Sequence, residues 1–344
     1  MTMSVFTHPD FDDHQRVVFC RDKKVGLRAI ISIHNTNLGA ALGGCRMWNY
    51  ENDDDALTDV LRLSRGMTYK AAMAGLALGG GKSVIIGDPK KDKSDALFLS
   101  FARFIDQLNG RYITAEDVGT TVTDMDLIRT VTLHVSGVSD GAGNPSPSTA
   151  HGVFIGLEAA VRHKLGKNSV EGLTVAVQGL GSVGYGLCDY LHQAGAKLIV
   201  TDISKPAINR AVEAFGAAAV EPDNIYGVQA DVFAPCALGA AINDETIPKL
   251  RVRVVAGAAN NQLAEERHGE VLRELGILYA PDYVINAGGL IDVARFKVDM
   301  NIEEARAKLR RIDDTLTEIF QRADRENKAT SEVADTIAEE RFGG

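Results

Sequence analysis

Two hydrophobic periods alternate along the chain. In residues 25–36, "VGLRAIISIHNT", branched apolar side chains fill a short run, which predicts a strand. Residues 54–75 begin with acids and place Ala56, Leu57, Val60, Leu61 and Leu63 on one stripe, the pattern of an amphipathic helix. "SVIIGDP", directly after Lys82, is a β-branched run closed by Gly87 and Pro89 and predicts a second strand. "KSDALFLSFARFIDQLNG" returns to the helical period, with Ser94 as N-cap and Asn109-Gly110 as the stop. A short strand, "RYITAEDVG", then ends in two acids, Glu116 and Asp117.

Residues 139–149, "SDGAGNPSPST", are crowded with turn formers and predict a hinge. Beyond it the period is regular. "LTVAVQGLGSVG" is a strand running into a glycine turn, "YGLCDYLHQAG" a helix, "AKLIVTDI" a strand and "KPAINRAVEAFG" a helix. "ADVFAPCALG" and "VRVVAGAANN" are later strands, and "GILYAPDYVINAGG" closes the series. Strands alternating with helices at this spacing predict an α/β fold with a doubly wound parallel sheet. Two helical stretches, "NIEEARAKLRRIDDTLTEIFQRAD" and "ATSEVADTIAEER", finish the chain.

Composition narrows the setting. The 344 residues are ample for two domains, and the net charge of -9 argues against a nucleic-acid or acidic-membrane partner. The four cysteines lie far apart without a C-x-x-C pair and read as buried small side chains, so no metal site is expected. No basic-then-apolar leader is visible, and no apolar segment reaches the roughly 20 residues of a membrane span. A soluble, cytoplasmic protein is expected.

The turn "GLGSVG" sets Gly179, Gly181 and Gly184 in a G-x-G-x-x-G array, with Leu180, Ser182 and Val183 between them. It follows an apolar strand and opens a helix. In that context the first glycine makes the tight turn, the second allows close approach to a pyrophosphate, and the third lets helix pack on strand. The next strand ends at Asp202, where a carboxylate bonds ribose hydroxyls and repels a 2′-phosphate, so NAD is expected over NADP.

The stretch "GLALGGGKSVIIGDP" mimics a phosphate loop, but Leu76 stands where that loop needs glycine, and a strand follows where it needs a helix. Lys82 after three glycines, Lys70 in "GMTYKAAMAG" and Asp117 in "TAEDVGT" are the remaining candidates for chemistry. An average lysine is a solvated charge, yet both of these sit in stretches with few other charges.

With "ALGGCRMW", "LRLSRGMTYKAAMAGLALGGGKSVIIGDP", "NGRYITAEDVGTTV", "GNPSPSTAHGV", "FAPCALGA", "GAANNQL" and "YAPDYVINAGG", the chain resembles the amino-acid dehydrogenase family acting on glutamate, leucine, valine and phenylalanine, and its leucine-acting members most. The resemblance covers almost the whole chain. It implies a substrate domain over residues 1–134, completed by a C-terminal helix at about 329–344, an NAD-binding Rossmann domain over 135–328, and a cleft between them as the active site. It implies that Lys70 grips the substrate carboxylate, that Lys82 is catalytic and that Asp117 is its acid–base partner. Thr149, Asn260 and Asn261 would lie near the nicotinamide and the reacting end of the substrate. The implied reaction is oxidative deamination of an amino acid to a 2-oxo acid and ammonia, in a homo-oligomer. Lys82 would act as a neutral amine, its pKa depressed by a dry site and by Lys70, with glycines leaving room for the substrate backbone.

Glutamate-acting members carry a lysine where this chain has Leu42, just before Gly43, so a distal carboxylate has no partner. Leu42, Met67, Ala115, Leu290 and Val293 fall at the positions that line the side-chain pocket of branched-chain members, and Gly43 borders the substrate. Leu290 departs from the valine common in leucine-acting members. Branched-chain and aromatic substrates both stay open, as does a catalytically silent NAD-binding protein, against which the joint presence of Lys70, Lys82 and Asp117 speaks.

Overall fold

The computed structural model describes residues 4–141, 144–237 and 239–343; Ala142 and Gly143 of the expected hinge and Leu238 of "FAPCALGA" lie outside them. The chain divides into two units. The first comprises Met1–Gly143, Val293–Asn301 and Ala338–Gly344; the second comprises Asn144–Asp292 and Ile302–Ile337.

In the first unit, β1 (Arg16–Asp22) and β2 (Leu27–Asn35) form an antiparallel hairpin turning at Gly26, whose φ is 74°. With β3 (Ala41–Trp48), β4 (Gly79–Ile86) and β5 (Tyr112–Glu116) they build one sheet in the order β1-β2-β4-β3-β5. β2 is antiparallel to β4, whereas β3 is parallel to both β4 and β5. α1 (Asp53–Met73) packs on β4 and β2, and α2 (Asp95–Asp106) packs with α3 (Val122–Arg129). Asn52 caps α1 by accepting from the Asp55 N–H, and three acids in its first turn complement the helix dipole. Ser94 caps α2 as the sequence indicates.

Strand alternation sorts the side chains. Ala41, Cys45 and Met47 of β3, Ile85 of β4 and Tyr112 of β5 join the core shared with α2 and α3, including Phe98, Phe101 and Ile128. Ile30, Ala56, Val60 and Val84 form a smaller cluster under α1. Lys82, two residues before Val84, shares that α1-facing side of β4.

The second unit opens with α4 (Ser146–Leu165). The "NPSPST" segment, expected as part of a hinge, starts this helix instead, because proline is well tolerated in a first turn whose N–H groups lack partners anyway. β6 (Thr174–Gln178), α5 (Ser182–Gln193), β7 (Lys197–Thr201), α6 (Lys205–Phe215) and β8 (Ala218–Ala219) make one half of the sheet. β9 (Val232–Pro235), β10 (Val254–Val255), α7 (Arg267–Glu274) and β11 (Leu278–Tyr279) make the other. All strands are parallel, in the order β11-β10-β9-β6-β7-β8, which is the 3-2-1-4-5-6 order of a doubly wound, Rossmann-type sheet. Pro281 turns the chain into α8 (Asp282–Ile285), then α9 (Gly288–Ala294) and α10 (Ile302–Glu326) follow.

Of α11 (Thr330–Phe342), the residues up to Ile337 belong to the second unit and Ala338 onward to the first. The Phe342 ring meets those of His34 and Tyr69 edge-on, and Asn37 donates to the Phe342 carbonyl at 2.9 Å. Tyr69 donates to Glu339 at 2.7 Å, and Arg341 donates to the Met73 carbonyl at 3.2 Å. The end of α1 is thereby tied down by residues some 270 positions away in sequence.

Candidate active site

Lys82 lies in the middle of β4, which begins at Gly79, so the glycines before it belong to the strand. Their role differs from the expected one. A Cβ on Gly79 would fall 2.0 Å from the Asn35 carbonyl oxygen of β2, one on Gly80 would fall 2.0 Å from the Thr68 nitrogen of α1, and the Gly81 carbonyl oxygen lies 1.6 Å from where a Cβ on Gly43 of β3 would stand. The space that bare glycines were expected to leave for substrate is filled by the protein's own backbone. The glycines let α1 and three strands close around one lysine.

Lys82 is 6% exposed, and its Nζ is ion-paired with Asp117 Oδ2. Asp117 follows β5 and is fixed from two sides: its N–H donates to Thr120 Oγ1 at 3.0 Å, and Thr120 Oγ1 donates to the Cys45 carbonyl at 2.9 Å. Arg46 on β3 approaches the other carboxylate oxygen of Asp117 at 3.7 Å and holds both oxygens of Asp59, at 2.9 and 3.1 Å, through Nη1. Burial pushes the Lys82 amine down to about 7; the positive charge of Arg46 and then that of Lys70 act in the same direction, while Asp59 opposes them. An ammonium with a carboxylate partner is ordinarily held protonated. Desolvation and the two cations act against that pairing.

Asp59, Leu63, Met67 and Lys70 lie at spacings of four, four and three along α1 and are all half-buried, so they form one line on the helix. Leu42, Gly44 and Arg46 of β3 alternate onto the Lys82 face; Ala115 pairs with Gly44, and Leu42 is 2% exposed. The first unit thus assembles Lys82, Asp117, Lys70, Leu42, Met67 and Ala115 around one face of its sheet, while Gly43, between Leu42 and Gly44, alternates onto the other. Arg46 joins them without having been singled out by the sequence. The signal that marks the two lysines, a lone cation in an uncharged stretch, marks Arg46 as well.

In the second unit the glycine turn is built as its spacing predicts. Gly179 has a φ of 95°, Gly181 caps α5 with open space where a Cβ would project, and a Cβ on Gly184 would fall 2.0 Å from the Gly179 carbonyl oxygen. Leu180 is buried, Val183 half-buried and Ser182 exposed at the start of α5. The free helix N-terminus beneath an uncovered glycine is the donor set that a pyrophosphate requires. Asp202 accepts from the N–H groups of Leu180 at 2.6 Å and of Ser204 at 2.7 Å, so it also braces the turn; each oxygen retains acceptor capacity for a ribose. Asn260 and Asn261 are exposed, Asn261 with a φ of 51°, and Asn286 donates to Asn260 Oδ1 at 2.8 Å. Thr149 on α4 donates to the Pro145 carbonyl at 3.0 Å and stands against Gly289 of α9. Leu290 and Val293 are half-buried on one face of α9.

Residues 14–134 match the model of the Glu/Leu/Phe/Val dehydrogenase dimerisation domain, and residues 141–208 and 204–341 match that of the glutamate/leucine/phenylalanine/valine dehydrogenases. The chain belongs to this family and is an amino-acid dehydrogenase. Within the family it is most like the leucine dehydrogenases: it is 58% identical to leucine dehydrogenase of Geobacillus stearothermophilus, over 99% of this chain and 94% of that one. Phenylalanine dehydrogenase of Lysinibacillus sphaericus is 49% identical over 96% and 89% of the two chains. The crystal structure of L-tryptophan dehydrogenase from Nostoc punctiforme superposes with a TM-score of 0.86 at 45% identity, covering 96% of each chain.

Proposed function

We propose that the protein catalyses the reversible, NAD-dependent oxidative deamination of an apolar L-amino acid, leucine and its branched-chain analogues foremost, to the 2-oxo acid and ammonia. The observation that carries this reading is a buried amine, Lys82, with a pKa near 7, a carboxylate at its nitrogen and a second ammonium nearby. When bound, the dinucleotide supplies the hydride acceptor for the substrate Cα, and the turn from Gly179 to Gly184 with Asp202 would hold it. Lys70 binds the substrate α-carboxylate by a charge-assisted bond. Neutral Lys82 takes a proton from water as that water adds to the iminium carbon. Asp117 passes a proton to the nitrogen, which departs as ammonia.

Leu42, with Met67, Ala115 and Val293 of the same unit, supplies an apolar boundary for the side chain. A buried γ-carboxylate with no partner costs several kcal/mol, which disfavours glutamate. An aromatic side chain is the second reading, supported by the likeness to phenylalanine and L-tryptophan dehydrogenases. We further propose a homo-oligomer, a reading supported by the match of residues 14–134 to a dimerisation domain.

The test is a panel of L-amino acids with NAD and with NADP, followed by nicotinamide absorbance. Leucine, isoleucine and valine with NAD should give the highest kcat/KM. A phenylalanine or tryptophan rate well above all three would transfer the assignment to the aromatic reading, and glutamate turnover comparable to leucine would refute both.

A further inference from the structure

We propose that Arg46 is a positioning residue of the reaction: by giving Asp117 a permanent second counter-ion, it frees Lys82 to lose and regain its proton. This inference rests on the function proposed above.

A lysine and an aspartate alone make a poor base, because the carboxylate is best satisfied when the amine keeps its proton. Asp117 is not alone with Lys82. Its Oδ1 faces Arg46 Nη2 at 3.7 Å while its Oδ2 faces the amine. A guanidinium does not deprotonate in proteins, so Asp117 keeps one cationic neighbour whichever form Lys82 takes. Arg46 is itself anchored. Its Nη1 bonds both oxygens of Asp59, and Asp59 Oδ2 accepts the Tyr50 hydroxyl at 2.5 Å. Its Nε is buried without a hydrogen-bond partner among the described residues, so the side chain is turned toward the carboxylates at the expense of one donor. The result is an alternating line of charges, Asp59, Arg46, Asp117 and Lys82, drawn from α1, β3, the β5 exit and β4.

The other groups facing Lys82 complete the balance. Lys70 comes from α1 and Ser32 of β2 is paired opposite, while Cys45, next to Arg46 on β3, lies toward the other face of the sheet. Tyr112 of β5 is engaged with Ser83 and the Gly43 carbonyl on the opposite face of the sheet. Apart from its ion-pair partner Asp117, the charge acting most strongly on Lys82 is that of Arg46, which favours the neutral amine, while Asp59 acts against it. The two members of one ion pair therefore have opposite effects on the same lysine.

That opposition gives a test of sign. Arg46→Gln should raise the inflection of the kcat pH profile by roughly one unit. Turnover should drop about fivefold at pH 7, as the neutral fraction of an amine near 7 falls with a one-unit rise, and recover at alkaline pH, with the amino-acid KM nearly unchanged. Arg46→Lys, which retains the charge, should restore the wild-type profile in large part. Asp59→Asn, which leaves Arg46 an acceptor, should move the inflection the other way. The proton affinity of Lys82 is also read without turnover, by competitive labelling of the full-length protein with acetic anhydride across pH, followed by mass spectrometry. Labelling shifts of opposite sign in Arg46→Gln and Asp59→Asn support the proposal even if no amino acid in the panel is oxidised, an outcome that would overturn only the assigned reaction. Shifts of the same sign, or loss of rate at every pH with the inflection and the labelling curve unmoved, would overturn the role given to Arg46.

Discussion

Substituting alanine for Gly80 should separate Lys70 from Lys82. The new Cβ would lie 2.0 Å from the Thr68 nitrogen, 2.3 Å from its Oγ1 and 2.5 Å from its Cα. Ordinary contact begins near 3.4 Å, so α1 must retreat by about 1.4 Å, since backbone cannot rotate out of the way. Overpacking of this kind costs about 1–3 kcal/mol. For a unit of this size that lowers Tm by roughly 3–10 °C. Lys70 is two residues from Thr68 and travels with it, so the amino-acid KM should rise, and a displacement near 1 Å can reduce kcat/KM by about 100-fold. Gly66→Ala is the control on the same helix: nothing lies within 4 Å of its Cβ, and removing a mid-helix glycine should stabilise by about 0.5–1 kcal/mol. Calorimetric Tm, initial rates against leucine concentration and NAD titration calorimetry would be measured on both variants. NAD affinity should be unchanged in each. If Gly80→Ala melted within 1 °C of the parent with the same KM, the close seating of α1 on β4 would not be what the glycines are for.

Lys82→Ala should lower turnover by several orders of magnitude with NAD binding retained, and in the parent kcat should fall as pH drops below about 7, where the amine takes up its proton; a flat profile from pH 6 to 9 would exclude a lysine base. Asp202→Asn, which keeps an acceptor for the Leu180 N–H, should raise NADP use relative to NAD, measured as the ratio of the two kcat/KM values; no change would place the ribose contact elsewhere. Burial pushes His34 down to about 4, followed by the repulsion of His14, so its neutral form is favoured by folding. That contribution is complete above the unfolded value of 6.5 and is lost as pH falls from there toward 4, by roughly 2 kcal/mol at pH 5. Thermal melts from pH 7 to pH 5 should show the loss, and His34→Gln should reduce it.

What the sequence makes legible is whatever is fixed locally. The turn from Gly179 to Gly184 can be read because its three glycines, between a strand and a helix, lie within six residues, and α1 because its period and cap are contiguous. Lys82 stands out as a charge among glycines, but the meaning of those glycines lies in Asn35, Thr68 and Gly43, which reach them only through the fold. Arg46 acquires its importance from Asp59 and Asp117, on α1 and beyond β5, and strand β3 itself is visible in the sequence only as a motif. Proline and serine in residues 144–149 suggest a hinge because the residues that start a helix are also those that make turns. The cluster of His14, His34, Tyr69 and Phe342 joins the two ends of the sequence and has no local signature.

The residues that clamp α1 also impose an order on biosynthesis. The sheet that carries Lys82 is encoded by Gly143, but its unit is finished only when Ala338 and the residues beyond it exist. At about 5–20 residues per second, the intervening stretch of nearly 200 residues takes roughly 10–40 s to translate. During that interval the second unit's entire sheet can form, whereas the end of α1, with Tyr69 lacking Glu339 and Met73 lacking Arg341, has no closing partner. The helix bearing Lys70 is therefore the last part of the first unit to be secured, and a nascent chain completes its parallel sheet before the face that gathers Lys70, Lys82 and Asp117 is closed.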